Sequence, residues 1–164
     1  MTLQIREDDL SGVATQALVA VHLAGVHADS PEDSCHALDL DALRDPSITF
    51  LSAWEGDDLA GIGALKDLGG GRGELKSMRA DDRFLGTGVG RAVLRQLIAV
   101  ARERGMTSLW LETGTMPSFL PARRLYESEG FVPCPPFGDY RLDRHSMFMT
   151  LALTPAAEEA APER

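Results

Sequence analysis

Cysteine is scarce in this chain: Cys35 and Cys134 are the only two among 164 residues. Two separated thiols make no disulfide framework, and no cluster has metal-ligand spacing. Long apolar runs are missing too, and none approaches the ~20 residues of a membrane span. The start, MTLQIREDDL, lacks the basic region and continuous apolar stretch of a signal peptide. Positive charge is outweighed, with 16 Lys+Arg against 25 Asp+Glu, for a net charge of −9. That argues against non-specific nucleic-acid binding, which needs a basic surface. It is compatible with a cationic, amine-bearing small substrate. The expectation is a cytoplasmic protein with no metal, no nucleic-acid partner and no membrane anchor.

What is present suits an ordinary globular core. Hydrophobic residues make up 44% of a chain long enough for one domain. Residues 1–153 read as that domain, and the Ala/Glu/Pro-rich stretch 154–164 as a disordered acidic tail. Leu3 to Arg6 reads as a strand. Ser11 reads as the N-cap of a helix to about His27. A short helix follows over Asp39 to Arg44. Ile48–Trp54 and Leu59–Lys66 read as a hairpin. Gly69, Gly70, Gly71 and Gly73 mark a flexible connection to a strand at Glu74–Ala80. A long amphipathic helix with Val93, Leu94, Leu97, Ile98 and Ala101 on one face ends at Gly105. Ser108–Thr113 is a strand, Pro121–Glu129 a helix, and MFMTLAL a closing strand after a proline-rich loop. The order β-α-α-β-β-β-α-β-α-β describes a mixed α/β domain.

The stretch RFLGTGVGRAVLRQLIAVARERG, residues 83–105, is the most informative. Gly86, Gly88 and Gly90 alternate and run straight into the long helix. Glycine permits close backbone approach, and a helix start offers unpaired N–H groups and a positive dipole end. The pair makes an anion site suited to a phosphate or pyrophosphate. A P-loop would need Lys and then Ser or Thr after its last glycine, and here Arg91 and Ala92 follow. A dinucleotide fingerprint would need a third glycine at position 91.

The segments LKSMRADDRFLGTGVGRAVL, SLWLETG and ARRLYESEGF, in that order, resemble the GNAT (GCN5-related) N-acetyltransferases over nearly the whole chain. The resemblance implies the GNAT acyl-CoA N-acyltransferase fold and acetyl-CoA as cosubstrate. It implies pyrophosphate binding by the loop Leu85, Gly86, Thr87, Gly88, Val89, Gly90 and Arg91. It also implies backbone pairing of the pantetheine arm with Met78 and Ala80, with the Met78 N–H as oxyanion donor. The family's Gln/Arg position falls on Leu85, a common proline on Asp82 and a frequent asparagine on Phe119. GNATs are often dimers, so a homodimer through the apolar edge of MFMTLAL is expected.

Acetyl transfer to an amine needs a bound thioester, a deprotonated amine, a stabilised oxyanion and a protonated leaving thiolate. Tyr126 matches the family tyrosine that protonates the thiolate, and a phenol stays protonated at neutral pH. Glu74 is the candidate base, on the same side of its strand as Lys76. Glu112 on the next strand is a rival, and water could carry the proton instead. An ion pair with Lys76 is the alternative role for Glu74. Asp139 and Tyr140 in the CPPFGDY loop could line the acceptor pocket. His22, His27 and His36 fall in the region that usually walls the acceptor site in the family. Nothing near Cys134 activates it as a nucleophile. The expected reaction is direct attack by a small-molecule or peptide amine in a ternary complex. A coenzyme A-binding sensor with a weakened site is the alternative function.

Overall fold

The computed structural model describes residues 2–29 and 37–154. The chain runs β1 (Gln4–Glu7), α1 (Val13–Asp29), α2 (Leu40–Leu43), β2 (Ile48–Glu55), β3 (Asp58–Gly69) and β4 (Arg72–Ala80). It continues through α3 (Val89–Glu103), β5 (Ser108–Gly114), α4 (Leu120–Ser128), β6 (Val132–Cys134) and β7 (Ser146–Ala152). The seven strands form one sheet in the order β1-β2-β3-β4-β5-β7-β6. All neighbours are antiparallel except β4 and β5, which are parallel and joined through α3. A parallel pair needs such a crossover, and a helix is the usual one.

Two cores sandwich the sheet. On one face Leu65, Leu75, Leu109, Leu111 and Met149 pack with α3 and with Tyr126 of α4. On the other, Phe50, Ile62 and Ala64 pack with Leu18 and Val19 of α1 and Leu43 of α2. Burial on both faces explains why β2 and β3 read as near-continuous apolar runs. The apolar stripe of α3 is the main contribution to the first core: Val89, Val93, Leu94, Leu97, Ile98 and Ala101 are all buried. Each large aliphatic side chain there contributes about 1.5–3 kcal/mol.

Two glycines on β3 let α3 approach closely. A Cβ on Gly61 would lie 2.6 Å from Val89 Cγ1, and one on Gly63 2.7 Å from Val93 Cγ1. The seat of the helix start is therefore fixed by side chains that β3 does not have.

Three expectations change. The helix α1 begins at Val13, and the Ser11 hydroxyl donates instead to Asp9 Oδ1 at 2.6 Å, so Ser11 is not its N-cap. The glycine tract is a tight hairpin in which Gly69 pairs with Arg72, because Gly69, Gly70 and Gly71 all adopt positive φ. The closing strand β7 is not the sheet edge. Val132–Cys134 pairs outside it, opposite Phe148–Thr150, and Pro133 blunts that short edge. The tail lies outside the described residues from residue 155 onward, as do Cys35 and His36.

Candidate active site

Two neighbouring strands part company at the centre of the sheet. β4 and β5 pair only from Arg72–Ser108 to Glu74–Trp110, although β4 runs on to Ala80 and β5 to Gly114. At the parting, β4 bulges. Lys76 pairs with Ala64 and Arg79 with Ile62, so the register shifts across Ser77 and Met78. Ser77 takes φ +57°, a left-handed conformation that costs a non-glycine residue about 1–3 kcal/mol. Bulges of this kind re-aim side chains and break the ladder. The Ser77 hydroxyl is buried and has no hydrogen-bond partner among the described residues.

A cavity of about 110 Å³ occupies the gap. Glu74, Lys76, Ser77 and Met78 line it from β4, Glu112 and Thr113 from β5, and Tyr126 from α4. His22 of α1 closes it from the opposite face of the sheet. The cleft thus opens toward both cores.

The glycine loop follows β4. Asp81 caps a short 3-10 turn at Asp82–Phe84 through the Arg83 N–H. Gly86 (φ +73°) and Gly88 (φ +92°) then hold left-handed conformations, and a Cβ on either would meet nothing within 4 Å. Their role is to set the backbone angles and leave open space beside it. The first helical bond of α3 runs from Ala92 N–H to Gly88 O, at 3.0 Å. The N–H groups of Val89, Gly90 and Arg91 therefore belong to the first turn, which has no intrahelical acceptors. Leu85 is 64% exposed beside them. The Arg91 side chain turns away to Glu129 Oε2 at 2.8 Å. Arg95 holds the same carboxylate, so both arginines tie α3 to the end of α4. The donor set and open backbone fit a pyrophosphate through main-chain groups, not through the Arg91 guanidinium.

Tyr126 is buried, with its ring edge-to-face on Phe131 at 5.8 Å. Burial, and then the Glu112 carboxylate, push its phenol well above the usual value, so it stays protonated. Glu74 is also buried. Its Oε2 accepts from Lys76 Nζ at 3.0 Å and from the Tyr140 hydroxyl at 2.6 Å, and Lys76 also donates to the Tyr140 oxygen at 2.9 Å. Burial, then the Glu74 charge and hydrogen bond, likewise raise the Tyr140 phenol. The Tyr140 ring stacks among Phe137 and Phe148, at 5.0 and 5.4 Å. Half-buried His22 is pushed down to about 4, first by desolvation and then by the Arg79 charge, so it is neutral near pH 7.

The sequence candidates gather at this cleft with few exceptions. Glu74, Met78, Glu112, Tyr126 and His22 line one cavity. Asp139 and Tyr140 line a second that shares Glu74 and Lys76 with the first. Glu74 does pair with Lys76, as its alternative role required. His27 is exposed and lines neither cavity. Burial raises the Cys134 thiol, away from a reactive thiolate. Sequence reasoning missed the bulge at Ser77, and no local residue pattern announces it. It also missed that Phe119 packs its ring on Gly114, where a Cβ would lie 2.3 Å from the ring.

Known proteins agree with this architecture. Residues 16–131 match the acetyltransferase (GNAT) family. The chain is 51% identical to the uncharacterized N-acetyltransferase YedL of Escherichia coli (strain K12), over 91% of this chain and 94% of that one. It is 52% identical to the uncharacterized N-acetyltransferase YsnE of Bacillus subtilis (strain 168), over 92% of this chain and all of that one. A Klebsiella pneumoniae crystal structure, taken to be an acyl-CoA N-acyltransferase, superposes with a TM-score of 0.79 at 27% identity, covering 93% of this chain and 99% of that one. The chain belongs to the GNAT acetyltransferase family and is an acetyl-CoA-dependent N-acetyltransferase.

Proposed function

We propose that the amine attacks the thioester directly, in a ternary complex assembled across the β4–β5 cleft. The observation that carries the proposal is the parting of β4 from β5 after Glu74 and Trp110. It frees strand backbone on the side reached by the glycine loop, and it opens a passage to the other face. Acetyl-CoA enters from the α3–α4 side. Its pyrophosphate takes main-chain N–H groups of Gly86, Gly88, Val89, Gly90 and Arg91, while those of Leu85 and Thr87 donate within the turn to the Asp82 and Phe84 carbonyls. Its pantetheine arm runs along Met78 and Ala80. The acceptor amine enters from the α1 side.

The amine nitrogen then forms a bond to the thioester carbon, and the carbonyl becomes an oxyanion. The Met78 N–H at the bulge stabilises that charge, a contribution of about 3–4 kcal/mol where such donors have been removed elsewhere. The C–S bond breaks, and the thiolate takes the proton of Tyr126. The amine proton leaves to Glu74 directly or through water. Lys76 and Tyr140 both donate to Oε2 of Glu74. A water relay or Glu112 remains the competing route. The acceptor class this supports is a small-molecule or peptide amine, handled by a domain spanning residues 1–153 in a cytoplasmic protein.

Tyr126→Phe tests the acid. The expected result is a kcat about 10²–10⁴-fold lower in a free-thiol release assay. The KM for acetyl-CoA should hardly move. An unchanged kcat would remove Tyr126 from the chemistry.

A further inference from the structure

Resting on the transferase reading above, we infer that the acceptor carries a carboxylate beside its amine, as an amino acid or short peptide does. The site is the larger cavity beside the transfer point, about 1020 Å³ in volume. Its walls are the start of β4, Lys66 and Leu68 of β3, and the β6–β7 loop from Phe137 to His145. It shares Glu74 and Lys76 with the small cavity that holds Tyr126. A molecule bound here reaches the thioester across those two side chains.

The charge of this wall runs against that of the molecule. The chain as a whole is at −9. The cavity has four basic side chains, Lys66, Lys76, Arg141 and Arg144, against the three acidic ones Glu74, Asp139 and Asp143. Two of these cancel, because Lys76 and Glu74 bind each other at 3.0 Å. Asp143 is turned inward on its own loop, accepting the His145 N–H at 2.8 Å. Arg141 is exposed, and among the described residues nothing pairs with it. A guanidinium left open on a cavity wall is suited to a carboxylate, which it can take in a bidentate grip. An acidic loop residue such as Asp139 would by itself suit a cationic amine, but the basic side chains of this cavity outnumber the acidic ones. A polyamine would meet Lys66, Arg141 and Arg144 as like charges, which costs affinity.

The geometry also sets an orientation. The carboxylate lies against Arg141 on the loop, and the amine points inward to Glu74. Phe137, Leu68 and Leu142 give an apolar side group a wall. The volume lies at the upper end for a ligand cavity and leaves room for more than one residue of a peptide.

The test is free-thiol release by the full chain with acetyl-CoA and three acceptor groups. These are L-leucine and L-phenylalanine, their amides, and spermidine. Calorimetric titration of acetyl-CoA is run alongside. The free acids should exceed their amides in kcat/KM by about tenfold or more, the scale of one charge-assisted contact. Arg141→Glu should lower that acid-to-amide preference by about as much. Equal use of acids and amides, preference for spermidine, or an unchanged preference in Arg141→Glu would overturn the inference. So would no turnover of any of these amines by a protein that binds acetyl-CoA. Failure to bind acetyl-CoA would instead sink the transferase site itself, and this inference with it.

Discussion

Tyr140→Phe removes one hydroxyl and tests how the β6–β7 loop is held to β4. The ring remains, so its stacking on Phe137 at 5.0 Å and Phe148 at 5.4 Å is preserved. What disappears is the donor to Glu74 Oε2 at 2.6 Å and the acceptor for Lys76 Nζ at 2.9 Å. Glu74 is only 4% exposed, so water cannot readily replace the lost donor. A hydrogen bond to a charged group is worth about 1.5–3 kcal/mol. At roughly 2–4 °C per kcal/mol for a chain of this size, the melting temperature should fall by about 3–12 °C. A thermal melt measures this directly. Glu74→Gln and the double variant complete a cycle. The hydroxyl should cost about 1 kcal/mol less, or better, once the carboxylate is gone. A loss below about 0.5 kcal/mol, or strict additivity in the cycle, would refute the contact as a stabilising tie.

Other outcomes follow from the same geometry. Gly63→Ala places a methyl 2.7 Å from Val93 Cγ1 and 2.8 Å from Met78 Sδ, so it should cost about 1–3 kcal/mol in denaturant titrations. Unchanged stability would mean that α3 is not seated on β3 at this distance. His22, with a folded pKa of about 4 against 6.5 for a free histidine, binds fewer protons folded than unfolded between those pH values. Stability should therefore rise with pH across that window and fall as pH drops through it, by up to about 3 kcal/mol. His22→Gln should flatten that slope, and an identical slope in the variant would contradict the neutral, desolvated imidazole. The carboxylates held low by their partners, Glu129 and Asp81 among them, lose their contribution as pH falls through the foot of this window and below it, and because both proteins carry them they leave the difference untouched.

Much of this was legible in the residues. The apolar stripe of α3 and the left-handed turn at Gly86 and Gly88 that leads into it were legible, because helical period and glycine's backbone freedom are local properties. The short helix α2 was legible too, although the Asp39 cap that starts it was not singled out. The Asp39 side chain accepts from the Ala42 N–H, at 2.8 Å. Tertiary facts were not legible. The Ser77 bulge arises from pairing with β3, not from its own neighbours in sequence. Glu74 and Tyr140 lie 66 residues apart, so nothing local announces their contact. The Arg91 guanidinium is diverted to Glu129, 38 residues on, for the same reason. β6 was hidden because Pro133 and Pro135 read as loop, although an edge strand tolerates proline. That one short strand moves β7 from the edge to the interior and removes the premise for dimerisation through it.

The most direct test of the account is calorimetric titration of acetyl-CoA into the wild type, Gly88→Ala and Gly88→Glu. Gly88 sits at φ +92° with open space beside it, so alanine reports backbone strain alone. Glutamate adds a carboxylate beside the bound phosphates, and like charges about 4 Å apart near a surface repel by roughly 4 kcal/mol. The account predicts binding by the wild type, a modest loss in Gly88→Ala, and at least ~100-fold weaker binding in a folded Gly88→Glu. Equal affinity in wild type and Gly88→Glu would mean that the cosubstrate lies elsewhere, and the cleft would lose its assigned role.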